Sequence, residues 1–120
     1  MIIICFLFPT HKPIMILRPF LLSLLLASSA ALAADEMTLT IKDHRFIPAE
    51  LKVPAGKKIK LIVENQDATA EEFESHDLNR EKVIAPKSKA TIFIGPLKPG
   101  TYKFYGEFNQ ATAQGAVIAE

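Results

Sequence analysis

From residue 37 onward, apolar positions recur every second residue in short runs, and prolines and glycines separate the runs. In "MTLTIK", Met37, Leu39 and Ile41 share one face while Thr38, Thr40 and Lys42 share the other. "FIPAELKVPAG" carries Phe46, Leu51 and Val53, with Pro48 and Pro54 confining its pairing to edges or bends. "KKIKLIVEN" puts Ile59, Leu61 and Val63 on one side, and "ATIFIGPL" adds Ile92 and Ile94 ahead of Gly95-Pro96. "KPGTYKFYGEF" turns at Pro99-Gly100, then sets Tyr102 and Phe104 against Lys103 and Tyr105, and "GAVIAE" makes a last strand. A period of two is the mark of a strand with one buried face. No stretch beyond residue 35 sustains a 3.6-residue period; only "SHDLNREKV" offers a short helix, capped by Ser75 or Asp77. Some seven short strands with frequent turns predict an all-β fold, a small antiparallel β-sandwich.

The start of the chain follows another pattern. Residues 15–34 read "MILRPFLLSLLLASSAALAA", with Arg18 as a positive n-region, Phe20 to Ala27 as an apolar h-region and Ala31-Leu32-Ala33 as a small-residue cleavage site. That is the layout of a secretory signal peptide. The apolar run from Phe20 to Ala34 is 15 residues long and interrupted by serines, whereas a spanning helix needs roughly 20. We therefore expect residues 1–33 to be a leader cleaved after Ala33, and residues 34–120 to be a periplasmic domain that is not an integral membrane protein. Residues 1–14, "MIIICFLFPTHKPI", lie upstream of an already complete signal, which makes Met15 the expected start of translation.

The 87 residues from 34 to 120 suffice for one domain with a modest core. They hold 12 basic and 13 acidic side chains, a net charge near −1, and no strongly basic face, so no nucleic-acid partner is expected. The single cysteine, Cys5, precedes the cleavage point, so no disulfide can form in the domain even in an oxidising compartment. Met37 is the one methionine left. Soft sulfur ligands are effectively absent.

Two phrases resemble the cupredoxin family. "FIPAELKVPAGKKIKLIVENQDATAEEFE" is similar to the first half of such a domain, with its "VPAG" turn, buried strand and N-x-D loop; "IGPLKPGTYKFYGEF" followed by "GAVIAE" resembles the closing hairpin. The resemblance spans about residues 37–120 and implies a small Greek-key β-sandwich of about eight strands with a metal site at one end. "EEFESHDLNREKVI" and "IGPLKPG" resemble in particular the EfeO-type cupredoxin-like group, periplasmic components of Ftr-type and Efe-type iron uptake systems. That implies a periplasmic iron carrier or an inner-membrane permease component as partner. The chain departs from the family at the copper ligands. By motif position the first histidine is replaced around Glu71, the cysteine near Gly106, the second histidine near Asn109 and the methionine near Ala113. In the resembling group a histidine stands at Asn109, so one ligand is lost here. A blue (type 1) copper centre needs a thiolate, and this domain has none.

Oxygen ligands remain. "ATAEEFESHDLNREKV" places Glu71, Glu72, Glu74, Asp77 and Glu81 within eleven residues, with His76 among them. If "EEFES" is extended, Glu72 and Glu74 share a face and Phe73 packs on the other. Two strand residues apart is about 6.6 Å, where two charges repel by about 0.6 kcal/mol in water but about 2.5 kcal/mol at an effective dielectric of 20. An exposed pair is nearly free, and a partly buried pair calls for compensation. Carboxylates suit ferric iron, manganese or calcium, and imidazole extends the range to ferrous iron, copper(II) and zinc. The expected metal ligands are Glu72, Glu74 and Glu107, joined by His76 or Asp77, for iron or copper(II). Glu107 enters because "YGEF" occupies the ligand-bearing loop of the resembling fold.

Plainer readings stand beside these. Glu71, Glu72 and Glu74 make a charged edge strand, Arg80 and Glu81 a solvated ion pair, and His44 a turn histidine. Tyr102, Phe104, Tyr105 and Phe108 read as core and hairpin packing, and Lys57, Lys58 and Lys60 as a solvated strand edge. No Ser-His-Asp set or nucleotide loop occurs, so any activity would be metal-borne assistance to ferrous iron oxidation. A metal-free β-sandwich module docking on a periplasmic partner is the alternative function.

Overall fold

A computed structural model of the chain describes residues 34–120 together with Pro13. The leader and the start at Met15 fall outside those residues. No helix among them is long and apolar enough to cross a membrane.

The described residues form nine strands: β1 (Asp35–Lys42), β2 (Arg45–Ile47), β3 (Glu50–Val53), β4 (Ile59–Asn65), β5 (Glu71–Ser75), β6 (Arg80–Ile84), β7 (Lys89–Ile94), β8 (Gly100–Gly106) and β9 (Gln114–Ala119). One 3₁₀ turn, Glu107–Asn109, links β8 to β9. The strands form two sheets, ordered β2-β1-β4-β7 and β3-β9-β8-β5-β6. The expected all-β sandwich is therefore present, with two strands more than anticipated. It is not purely antiparallel: β1 runs parallel to β4 and β3 parallel to β9. Parallel neighbours need a crossover, and here β2 and β3 carry the chain from one sheet to the other between β1 and β4.

The period-two positions meet between the sheets. Leu39, Ile41, Ile59, Leu61, Val63, Phe73, Phe104 and Val117 are buried to within 1% of complete. The rings of Phe46, Phe73 and Phe104 form one cluster, with Phe104 edge-on to Phe46 at 4.9 Å and tilted against Phe73 at 5.1 Å. The expected helix over "SHDLNREKV" does not form. Ser75 Oγ does accept a hydrogen bond from Leu78 N at 3.1 Å, as a helix cap would. Asn79 then takes φ +52°, which ends the turn, and Arg80 returns as β6 with Arg80 opposite Ser75.

The N-x-D loop is a polar knot that fixes the chain between β4 and β5. Buried Asn65 donates through Nδ2 to the carbonyls of Thr69, Ile84 and Ala85 and accepts from Asp67 N at 3.0 Å. The Asp67 carboxylate accepts from Asp43 N and His44 N at 2.8 and 3.0 Å. The backbone bond from His44, ahead of that from Asp43, holds the Asp67 carboxyl below its usual pKa. His44, at φ +57°, is a turn residue, as expected.

Candidate metal site

β5 lies between β6 and β8 inside the five-stranded sheet, so Glu71, Glu72 and Glu74 are not a protective edge. The edge is β6. Along β5, Glu71, Phe73 and Ser75 point into the core, while Glu72 and Glu74 are half-buried on the outer face. Register places Glu74 opposite Glu81 on one side and opposite Tyr105 on the other. Glu72, Glu74 and Glu81 each present a carboxylate oxygen, and the three oxygens lie within 4.8 Å of one another.

Like charges so close raise the affinity for a proton. Glu72 is pushed up to about 7, first by a hydrogen bond with Glu81, then by desolvation and by the charges of Glu81, Glu74 and Glu107. A proton is the smallest cation the cluster can take up to relieve its repulsion, and a metal ion is another.

Of the five expected ligands, Glu72 and Glu74 form the cluster. Glu107 stands near enough for its charge to raise both Glu72 and Tyr105. His76 borders the site, with Nδ1 at 4.0 Å from Glu74 and Nε2 at 3.2 Å from the Tyr105 hydroxyl. Asp77 is not one of the three clustered carboxylates: its Oδ2 accepts from Lys103 N at 2.9 Å, alongside a bond from Ser75 Oγ to Lys103 O at 2.7 Å. These two side chains extend the β5–β8 ladder past its last backbone pair.

Glu81 does not form the expected ion pair with Arg80, because adjacent strand residues face opposite ways. Arg80 instead donates to the carbonyls of Phe93 and Asn79. The signal for Glu81 lay in the hairpin: a four-residue turn after Ser75 sets Glu74 against Glu81. Tyr105, assigned to packing, lies on this acidic face, and Phe108 is 53% exposed. Lys60 lies on central β4, paired with Glu36 at 3.4 Å, rather than on an edge.

The four positions matched to the blue-copper ligands also converge, behind the acidic face. Asn109 Nδ2 donates to Glu71 Oε2 at 2.6 Å, and Phe108 N and Glu72 N donate to Glu71 Oε1 at 2.9 and 3.0 Å. Gly106 N donates to Ala113 O at 2.8 Å. A β-carbon built on Gly106 would lie 2.7 Å from Ala113 Cβ, 2.7 Å from Glu71 Cδ and 2.9 Å from Glu71 Oε1. This set does not fit copper of the blue type. It offers no thiolate and no imidazole, its carboxyl oxygens are already engaged by N–H donors, and the cysteine position has no room for a side chain.

Residues 14–119 match the family model of the cupredoxin-like domain. The protein RP394 of Rickettsia prowazekii (strain Madrid E) is 53% identical over 83 residues, which cover 69% of this chain and 66% of that one. Among solved structures, auracyanin A, a "blue" copper protein of Chloroflexus aurantiacus, superposes with a TM-score of 0.63 at 12% identity, over 73% of this chain and all of that one. Amicyanin of Paracoccus versutus superposes with a TM-score of 0.57 at 15% identity, over 76% of this chain and 87% of that one. These likenesses describe the fold, and the family match spans nearly the whole sequence. The chain belongs to the cupredoxin-like domain family.

Proposed function

We propose that this domain is a periplasmic cation-binding protein accessory to iron, or copper-linked iron, uptake, and that it takes its ion through carboxylates on the outer face of the five-stranded sheet. The observation that carries the reading is the approach of Glu72, Glu74 and Glu81 oxygens to within 4.8 Å. The donors are all oxygen, which suits ferric iron or a borderline ion such as copper(II). Glu72, Glu74 and Glu81 would hold it, with Glu107 adding charge and His76 lying at the rim. The iron assignment, and a periplasmic carrier or permease component as partner, rest on the resemblance to the EfeO-type group.

Calorimetric titration of the purified protein with ferric citrate, ferrous and cupric salts tests the reading. Binding by at least one ion, abolished in Glu72→Ala/Glu74→Ala, is expected. Heat that is unchanged in the double variant, or absent for all three ions, would overturn it. The second reading, a metal-free module that docks on a periplasmic partner, is favoured by two apolar side chains, Val83 opposite Glu72 and Phe108 in the turn after β8, each 53% exposed.

A further inference from the structure

The acidic face explains Glu72 and Glu74 but leaves Glu71 unaccounted for, a carboxyl group 1% exposed at the heart of the domain. A buried carboxyl is costly unless donors surround it, and three N–H groups do. Two of them belong to the 3₁₀ turn Glu107–Asn109, which otherwise makes no side-chain cap bond at its start. The loop from β8 to β9 is closed from within by Gly106 N to Ala113 O and Ala113 N to Asn109 O, both 2.8 Å. What joins this loop to β5 through polar bonds is the Glu71 side chain.

We infer that Glu71 and Asn109 form an internal staple that closes this end of the sandwich without any metal, so that the family's copper position serves here as a structural tie. Glu71 binds β5 to the loop through the Phe108 amide and the Asn109 carboxamide. Gly106 supplies the space, because any side chain there would strike the carboxyl group. The loop is thereby ordered in the metal-free protein, and Glu107 is carried to its place beside Glu72. Glu71 acts on the outer face as a positioning residue.

Amide hydrogen exchange of the purified protein, with and without cupric ion, tests the staple. In the wild-type protein the amides of Gly106, Phe108 and Ala113 should already be protected without metal, whether or not cupric ion then binds at the outer face. Glu71→Ala should speed their exchange about tenfold or more, the effect of stranding buried donors, while the amides of β1 and β4 hold. Glu71→Gln should restore protection, since its oxygen accepts from Phe108 and Glu72 and its amide can donate to a flipped Asn109. Asn109→Ala, which removes one bond only, covers the case in which Glu71→Ala does not fold. A loop unprotected until cupric ion is added, or an Asn109→Ala loop exchanging at the wild-type rate, would overturn the staple. Cation binding at Glu72, Glu74 and Glu81 survives either of those results, because the calorimetric test reads it separately.

Discussion

Gly106→Ala isolates the space among Glu71, Gly106 and Ala113. Gly106 sits at φ −92°, ψ 112°, a conformation open to any residue, so the substitution adds no backbone strain. Its whole effect is the methyl group. That methyl would arrive 2.7 Å from both Ala113 Cβ and Glu71 Cδ, against an ordinary carbon–carbon separation of about 3.5–4.0 Å. Neither neighbour yields easily: Ala113 is fully buried, and Glu71 is held by three hydrogen bonds. Overpacking of this kind costs about 1–3 kcal/mol, and displacing Glu71 from its donors adds about 1–3 kcal/mol. Because the two effects share one relaxation, we expect about 2–4 kcal/mol in all. In a domain of this size that lowers Tm by roughly 10–20 °C. Urea unfolding followed by circular dichroism reads it as a lower midpoint at unchanged slope. Adding Ala113→Gly should recover only part of the loss, since the clash with Glu71 remains. A Gly106→Ala protein within about 0.5 kcal/mol of wild type would refute the claim that this position is full.

Four further outcomes are expected. Glu72 ordinarily titrates at 4.5 and is raised to about 7 in the folded protein. Between those values the folded state keeps a proton that the unfolded chain has lost, so stability from this group is highest below about 4.5, falls as pH rises and levels off above about 7. Urea midpoints at successive pH values should show that fall, and Glu81→Gln should flatten it. By the same linkage, calorimetry should show cation affinity rising with pH up to about 7, with Glu81→Ala weakening it. Asp77→Ala should cost about 1 kcal/mol in urea unfolding and leave cation affinity untouched, because Asp77 serves Lys103 N. Phe73→Ala should cost about 3–5 kcal/mol, since the ring is fully buried against Phe46 and Phe104.

Strands β1, β4 and β8 were legible in the sequence because each keeps one largely apolar face over six or more residues, and that alternation fixes which face turns to the core. β6 was not. Arg80, Glu81, Lys82 and Val83 are all exposed, so the edge carries no alternation for a pattern to reveal. The same segment shows a true local signal with a different outcome: Ser75 caps a turn, but Asn79 in the left-handed region stops it after one turn. The parallel pairs β1–β4 and β3–β9 depend on partners far apart in the chain, which periodicity does not encode. For the candidate site, parity along β5 was enough to bring Glu72 and Glu74 to one face. Glu81 escaped because its neighbour on that face comes from the hairpin register, and carboxylate count could not show that one Asp77 oxygen is bonded to the Lys103 amide.

The placement of β9 bears on how the domain is made. β9 lies between β3 and β8, so β3 has no partner in its sheet until β9 is in place, whereas β5, β6 and β8 pair with one another without it. Before β9 docks, β3 and the free side of β8 are open borders, each able to seek a foreign strand. Of the two pairings of β9, β3–β9 joins segments far apart in the chain and is of the kind that forms slowly. The five-stranded sheet therefore gains its β3 border only once residues 114–119 have docked.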